Sequence, residues 1–194
     1  MKRRSALASF TSFATAATAF TGTVAALTSA ALVAGCASAP TPADYAAEKP
    51  ALDLRRYFNG ELVAHGIFSD RAGKVVRRFV VQMTGTWNGG AGVLDERFTY
   101  SDGSTERRVW RLQDEGGGRW SGRADDVVGV AEGRVAGNAL NWRYTLSLPV
   151  DGKTYEVQFD DWMYLMDERV MLNKAVMSKF GIYLGEVTLS FSKK

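Results

Sequence analysis

The chain has 194 residues, with 24 Lys and Arg against 21 Asp and Glu and a formal net charge of +3. Three basic residues at the N-terminus, Lys2, Arg3 and Arg4, account for this whole excess, so the rest of the chain has 21 basic and 21 acidic residues and lacks the positive balance typical of nucleic-acid binding. The single cysteine, Cys36, excludes an intramolecular disulfide and a thiolate metal site.

The N-terminus has the layout of a secretory signal. Its basic residues precede a charge-free run rich in Ala, Thr, Ser and Phe, which ends in "LVAGCAS" at residues 32–38. The tetrapeptide Val33-Ala34-Gly35-Cys36 resembles a bacterial lipobox, in which signal peptidase cuts before the cysteine that receives the lipid. We therefore predict a lipoprotein signal peptide over residues 1–35. A single-pass transmembrane anchor is the alternative, but the segment has few Leu or Ile residues.

Removal of residues 1–35 leaves 159 of the 194 residues, enough for one domain with its own core. Acyl chains on Cys36 would hold that domain on a membrane, and Ala37 in place of Asp favours the outer membrane in bacteria of the enteric type. We expect an outer-membrane lipoprotein that faces the periplasm. Residues 36–50 have three of the chain's four prolines, which predicts a lipidated N-terminus and a flexible linker.

Residues 51–194 have the punctuation of an antiparallel β-sheet. Only "ALDLRRYF", at 51–58, has the pattern of a short helix. Turn signals separate runs of alternating apolar and polar residues. These signals are "DRAG", "NGGAG", "SDGS", "DEGGG", "AGN" and "VDGK". About nine or ten strands joined by short turns predict an all-β fold, an up-and-down barrel whose closure removes the edges of the sheet.

The segment "LNWRYTLSL" gives the clearest register. A two-residue turn at Asp151-Gly152 would pair it with the following strand so that apolar residues face apolar residues on one side of the sheet. The apolar pairs are Leu148 with Tyr155, Leu146 with Val157, Tyr144 with Phe159 and Leu140 with Met163. Trp142 meets Asp161 on this face, and Arg143 meets Asp160 on the other. The adjacent acids of "FDDWMY" therefore point to opposite faces and cannot act as a carboxylate pair.

Two further hairpins are predicted with less support from turn residues. A turn at Asp167-Glu168 would place Asp161 opposite Lys174, although segment 170–180 fits neither the strand nor the helix period cleanly and could be a short helix.

An odd-length loop around "SDGS" would place Glu96 opposite Trp110 and Phe98 opposite Arg108. Both hairpins put charged residues on an apolar face.

The inner face of the barrel therefore includes four charged residues, Glu96, Arg108, Asp161 and Lys174. Because unpaired buried charges are costly, they should form ion pairs, Asp161 with Lys174 and Glu96 with Arg108, or face a ligand cavity. In the cavity interpretation, Arg108 or Lys174 addresses an acidic head group and the apolar wall takes an acyl tail. The candidate ligand-binding residues are Glu96, Arg108, Trp110, Trp142, Tyr144, Asp161 and Lys174.

Several segments together resemble a family of lipocalin-like bacterial lipoproteins catalogued as a domain of unknown function. They include "GKVVRRFVVQMTGTW", "YSDGSTERRVWRL", "FDDWMYLMDERVML" and "MSKFGIYLGEVTLSF", and the resemblance covers about residues 50–193. It implies a lipocalin-like barrel and supplies no activity or residue roles. Members of the family look like companions of genes for lipid modification, and this association favours a lipid ligand.

Other chemistries have less support. The chain has one histidine, His65, and no G-x-S-x-G motif, which disfavours a Ser-His-Asp hydrolase. One histidine and one cysteine are too few ligands for a zinc site. Haem ligation by His65 inside the barrel stays open. Carbohydrate stacking on Trp110 and Trp142 is disfavoured, since both lie on apolar strand faces. We predict no cofactor and no metal.

The expected function is binding of a lipid, fatty acyl or other apolar small molecule. One alternative is an acid/base enzyme that acts on a bound lipid through Glu96 or Asp161. The other is a purely structural envelope lipoprotein.

Overall fold

The protein is described by a computed structural model that covers residues 38–150 and 152–194, which are mostly β-strand. A 3-10 helix, Pro42–Tyr45, and a short α-helix, α1, Leu54–Tyr57, precede the strands. In this part of the chain no helix is long and apolar enough to cross a membrane. The strands are β1 Gly60–Asp70, β2 Val75–Asn88, β3 Ala91–Tyr100, β4 Thr105–Gly116, β5 Arg119–Arg123, β6 Ala131–Ala136, β7 Ala139–Val150, β8 Lys153–Leu165, β9 Val170–Lys179 and β10 Ile182–Lys193.

The ten strands form one closed antiparallel barrel. Each strand pairs with its neighbours in sequence, and β1 pairs with β10 to close the sheet. The predicted up-and-down barrel of nine or ten strands is therefore confirmed. Because successive strands run in opposite directions, the connections β1–β2, β3–β4, β5–β6, β7–β8 and β9–β10 lie at one end, called here the open end. The remaining connections lie at the other, closed end.

Helix α1 covers the closed end. It corresponds to the short helix predicted over residues 51–58. The carboxylate of Asp53 accepts hydrogen bonds from the backbone N–H groups of Arg55 and Arg56 and so caps the helix. Leu54 and Tyr57 are buried. Glycine at position 85 permits this packing, because a Cβ there would overlap the carbonyl oxygen of Phe58 at the end of the helix.

The segment predicted as a flexible linker is packed against the barrel from Pro42 onward, which corrects the prediction for its second half. Tyr45 lies on the outer face of β8, with its ring centroid 5.7 Å from that of Trp162 and its hydroxyl 3.3 Å from the hydroxyl of Tyr164. The N–H of Leu52 donates to the carbonyl of Gly137. Proline content predicted a tether, but aromatic packing orders the segment at the closed end.

The predicted register between β7 and β8 is confirmed at every pair. Tyr144 lies opposite Phe159, Trp142 lies opposite Asp161, and Arg143 lies opposite Asp160. Of the predicted turn residues, Asp151 lies outside the described residues.

The predicted register between β8 and β9 is wrong by one residue. Asp161 lies opposite Ala175 rather than Lys174, and segment 170–180 is a strand rather than a helix. The cause is the turn, in which the carboxylate of Asp167 accepts hydrogen bonds from the N–H groups of Arg169 and Val170 and closes a longer loop than the two residues expected.

The predicted register between β3 and β4 is wrong by two residues, which leaves every side chain on the predicted face. Glu96 lies directly opposite Arg108, and Leu94 lies opposite Trp110. A shift by an even number preserves the inward and outward alternation of a strand. The inner face of the barrel near the closed end is packed with apolar side chains. The largest that are fully buried are Leu62, Val81, Leu140 and Met171.

Candidate functional site

The barrel is hollow toward its open end. A cavity of about 1390 Å³ extends inward from the mouth and is walled largely by aromatic and aliphatic side chains. This volume exceeds the range of about 300–1,000 Å³ common for small-molecule sites. The wall includes six of the seven residues proposed from the sequence as ligand contacts. These are Glu96, Arg108, Trp110, Trp142, Tyr144 and Asp161.

Stacked and edge-to-face rings form one side of the cavity. The ring of Tyr144 is stacked on that of Phe159 at a centroid distance of 4.9 Å, and Trp110 contacts both Tyr144 and Trp142 edge to face, at 5.4 and 5.7 Å. These contacts follow from the strand registers, which bring inward aromatic residues of β4, β7 and β8 together. They create a rigid apolar surface suited to a hydrocarbon or a flat ring system.

Arg108 is a basic residue of the cavity wall with a largely buried side chain, and carboxylates already neutralise it. The other basic residues of the wall are Arg77, Arg107 and Lys179. Its Nε and Nη2 atoms lie 2.8 Å from Oδ2 of Asp126, and Nη2 lies 3.3 Å from Oε1 of Glu106. Glu96 is opposite Arg108 in the sheet, but the short contacts of the guanidinium go to Asp126 and Glu106. The predicted Glu96–Arg108 ion pair is therefore replaced by pairs to residues outside the predicted set.

Charged side chains also hold together the mouth next to Arg108. Arg77 donates from Nη2 to Asp102 at 2.8 Å, and its Cζ lies 3.6 Å above the ring of Tyr100. The hydroxyl of Tyr100 in turn donates to Glu106 at 2.8 Å. Because Glu106 also contacts Arg108, these residues link the β1–β2 and β3–β4 hairpins to the cavity interior.

Glu96 is buried deep in the cavity wall, only 8% exposed. Burial disfavours its charged form and raises the pKa of Glu96 to about 7, a shift that nearby Arg108 opposes and the carboxylates of Asp126 and Glu106 reinforce. At neutral pH the group can both donate and accept a hydrogen bond. A carboxyl of this kind can contact a neutral polar group or exchange a proton with one.

Asp161 is the second buried acid. Its Oδ1 accepts a short hydrogen bond from Nδ2 of Asn173, while its neighbour Asp160 lies on the outer face beside Arg143. Burial raises the pKa of Asp161 to about 7, against the hydrogen bond from Asn173, and the charge of Glu96 acts in the same direction as burial. The two acids of "FDDWMY" thus have separate roles, as the sequence predicted.

One predicted ligand contact, Lys174, and the only histidine, His65, lie outside the cavity. Lys174 is on the outer face of β9, where its Nζ lies 3.0 Å from Oε2 of Glu186, because the one-residue shift in register reverses its direction. Asn173 takes the inward position instead. His65 is exposed on the outer face of β1, so a ligand inside the barrel cannot reach it.

Two cavity residues were missed by the sequence reasoning. Asp126 lies in the loop between β5 and β6, where no strand period applies. Asn173 was missed because the predicted register turned its neighbour Lys174 inward. Among the described side chains, Oδ1 of Asp126 and Oδ1 of Asn173 are buried without a hydrogen-bond partner. A longer turn at Asp167, where the side chain accepts backbone hydrogen bonds, would have predicted the inward position of Asn173. Within residues 38–150 and 152–194, no three His, Cys, Asp or Glu residues cluster as metal ligands.

The strand order and the hollow interior define a lipocalin-like β-barrel. It is similar to the S-type phycobiliprotein lyase CPES from Guillardia theta, with a TM-score of 0.57 and 6% sequence identity over 80% of this chain and 98% of the lyase. A weaker likeness is to EF1p2_mFAP2b bound to DFHBI, with a TM-score of 0.39 and 11% identity over 73% of this chain and 100% of that chain. At 6% identity, the first likeness shows a common fold.

The chain belongs to the family described as "Protein of unknown function (DUF3833)", which it matches over residues 30–193. The resemblance inferred from the sequence is thereby confirmed. No curated protein matches the chain. Because the family's description assigns no activity, the function has to be argued from the cavity.

Proposed function

We propose that the barrel binds a lipid or another apolar small molecule in its cavity. The observation that supports this most is the cavity itself, about 1390 Å³ with a mostly apolar wall and a mouth at the open end. Apolar wall atoms that face the cavity lack protein packing partners, and a ligand would supply them. A hydrocarbon chain would gain about 0.8 kcal/mol for each methylene it buries.

The polar groups of the cavity favour a ligand that donates hydrogen bonds. Among the charged residues of the wall, Glu96 and Asp161 are buried carboxyl groups, and the buried guanidinium of Arg108 is already paired with Asp126 and Glu106. The other basic residues of the wall are Arg77, Arg107 and Lys179. Asp126 and Asn173 each present an unpartnered buried oxygen. A hydroxyl, amine or protonated carboxyl would satisfy these acceptors, whereas an ionised carboxylate has no proton to donate to them. Lys174 has no part in this contact.

A binding titration tests the proposal. The barrel, refolded free of lipid, should bind a fluorescent fatty alcohol saturably, and Val187→Trp, which fills part of the cavity, should weaken binding at least tenfold. Thr188→Trp is the matched control, because residue 188 follows on the same strand and is exposed on the outer face. Equal binding by both variants, or no saturable binding across alcohols, amines and acids of one chain length, would refute the proposal. Circular dichroism checks that both variants fold.

The rank order within the series tests the polar part of the proposal. Alcohol and amine should bind more tightly than the acid at pH 8, where the acid is ionised, and the difference should shrink at pH 5. Tighter binding of the acid at pH 8 would instead indicate that Arg108 leaves Asp126 to bind an anion.

One observation favours a second candidate, an enzyme that acts on the bound molecule. Glu96 and Asp161 both have a pKa near 7, where a carboxyl can serve as general acid or base. Turnover of a bound lipid that Asp161→Asn or Glu96→Gln abolishes, with binding retained, would support it. Lipid panels recovered unchanged after incubation with the wild type would exclude it for those lipids.

The proposed setting is the periplasmic face of the outer membrane, with lipidated Cys36 as the anchor. The lipobox at residues 33–36 supports this location. Expressed with its leader, the protein should fractionate with outer membranes and incorporate labelled fatty acid, and Cys36→Ser should lose both properties. Unlabelled wild-type protein in the soluble fraction would count against the anchor.

A further inference from the structure

The mouth of the barrel has an apolar rim on one side. Six exposed large side chains lie on three hairpins that are consecutive around the barrel, β1–β2, β9–β10 and β7–β8. The side chains are Val75, Val76, Val150, Phe180, Ile182 and Tyr183, and together they are called here the apolar rim. Exposed apolar residues grouped at one end of a barrel indicate a contact surface rather than scattered surface residues.

Phe180 is the most unusual member of the apolar rim. Its side chain is 88% exposed, and its backbone has a φ of 52°, the left-handed conformation that bulky residues rarely adopt. Asn or Gly would suit this turn better. Residue 180, at the tip of β9–β10, thus combines a strained backbone with an exposed aromatic ring. Packing inside the barrel does not offset the free-energy cost of this conformation, because the ring is exposed.

Basic residues flank the apolar rim. Residues 70–76, 150–155 and 179–183 contain four Lys and Arg against two Asp. One of the acids, Asp70, accepts hydrogen bonds from the N–H groups of Ala72 and Lys74 in its own turn. Lys179 lies with Nζ 4.4 Å from the ring centroid of Tyr155. The other side of the mouth has the acidic residues Asp102, Asp125 and Asp126 and two exposed valines, Val128 and Val130, in the β5–β6 connection.

The apolar rim is also continuous with the cavity. Val76 and Val150 belong to the rim and also line the cavity, and their neighbours Tyr155 and Lys179 line the cavity beside them. Any surface that covers the rim therefore lies against the mouth.

We propose that the apolar rim docks on the surface of an anionic lipid bilayer. Phe180 and Ile182 enter the boundary between head groups and acyl chains, and the flanking lysines lie among the lipid phosphates. Docking places the mouth against the bilayer, so a ligand passes between membrane and cavity without crossing water. The passage of a ligand rests on the function proposed above, whereas docking itself does not.

Vesicle flotation tests docking with the barrel from residue 37 onward, which lacks the anchor but contains all ten strands. It should bind vesicles of phosphatidylglycerol and phosphatidylcholine more tightly than pure phosphatidylcholine vesicles. Phe180→Asn with Ile182→Thr should lower binding at least tenfold. Asn suits the left-handed turn and Thr suits a strand, so the variant should melt no lower than the wild type. Lys74→Glu with Lys153→Glu should weaken binding to anionic vesicles only.

Met166→Ser is the matched control, because Met166 is an exposed apolar residue at the closed end, 53% accessible. It should leave vesicle binding unchanged. Equal binding by the Phe180→Asn, Ile182→Thr variant and the wild type would overturn the proposal. If the wild type forms a dimer without vesicles and this variant does not, the proposal would also be overturned. The rim would then be assigned to contact with a second copy of the chain. Titration of the variant with fatty alcohol in lipid-free buffer distinguishes failure of docking from failure of ligand binding, because the variant should retain its affinity for the alcohol.

Discussion

Asp161 shows how one residue connects burial to pH dependence. The residue is 6% exposed, and its carboxyl accepts a hydrogen bond from the neutral amide of Asn173 rather than from a cation. Burial therefore dominates, and the pKa of Asp161 rises to about 7. Between pH 4 and 7 the folded protein keeps a proton that the unfolded chain releases, because an unfolded Asp has a pKa near 4.

This difference predicts the sign of a stability change. The free energy of unfolding should fall as the pH rises from about 4 to about 7, by at most about 4 kcal/mol through Asp161. Glu96 acts in the same direction. Asp161→Asn keeps an acceptor for Asn173 and should reduce the slope by roughly half, as measured by urea unfolding at several pH values. Asp160→Asn, on the outer face, should change the slope little. An unaltered slope in Asp161→Asn would show that Asp161 is ionised throughout.

At the level of strands, turn chemistry decided which registers could be predicted. For β7–β8, short-turn residues and strict alternation agree, so every pair was predictable from residue 140 to residue 163. For β8–β9, the side chain of Asp167 builds a longer turn, and a one-residue difference exchanges Asn173 with Lys174. Asp126 was beyond prediction because an irregular loop brings it to Arg108. The predicted inward positions of Glu96, Arg108, Trp110, Trp142, Tyr144 and Asp161 were correct.

The register of β9 predicts opposite outcomes for two adjacent substitutions. Asn173→Ala removes the hydrogen bond to a buried carboxyl and should lower the free energy of unfolding by about 1–3 kcal/mol. Lys174→Ala removes an exposed pair with Glu186 and should cost less than about 1 kcal/mol. Urea unfolding measures both. The reverse order would favour the sequence-predicted register, with Lys174 inside the barrel.

At the scale of the whole molecule, the two ends of the barrel have different contacts. The closed end combines α1 with the segment around Tyr45, and both are anchored by specific packing. The open end combines the cavity mouth with the apolar rim. Thr41, immediately before the 3-10 helix, belongs to the closed end. Only residues 37–40 separate it from Cys36, and the five residues 37–41 span at most about 17–18 Å when fully extended.

In a protein attached through Cys36, we therefore expect the apolar rim to engage a second membrane. Cys36 is the only cysteine, so a barrel that begins there can be coupled to maleimide lipid in anionic vesicles. Coupled wild-type protein should cluster vesicles, detected by light scattering, and Phe180→Asn with Ile182→Thr should not. A 30-residue Gly-Ser insertion after residue 38 should reduce clustering, because the rim could then reach its own vesicle. Vesicles that stay single with coupled wild-type protein would contradict this orientation.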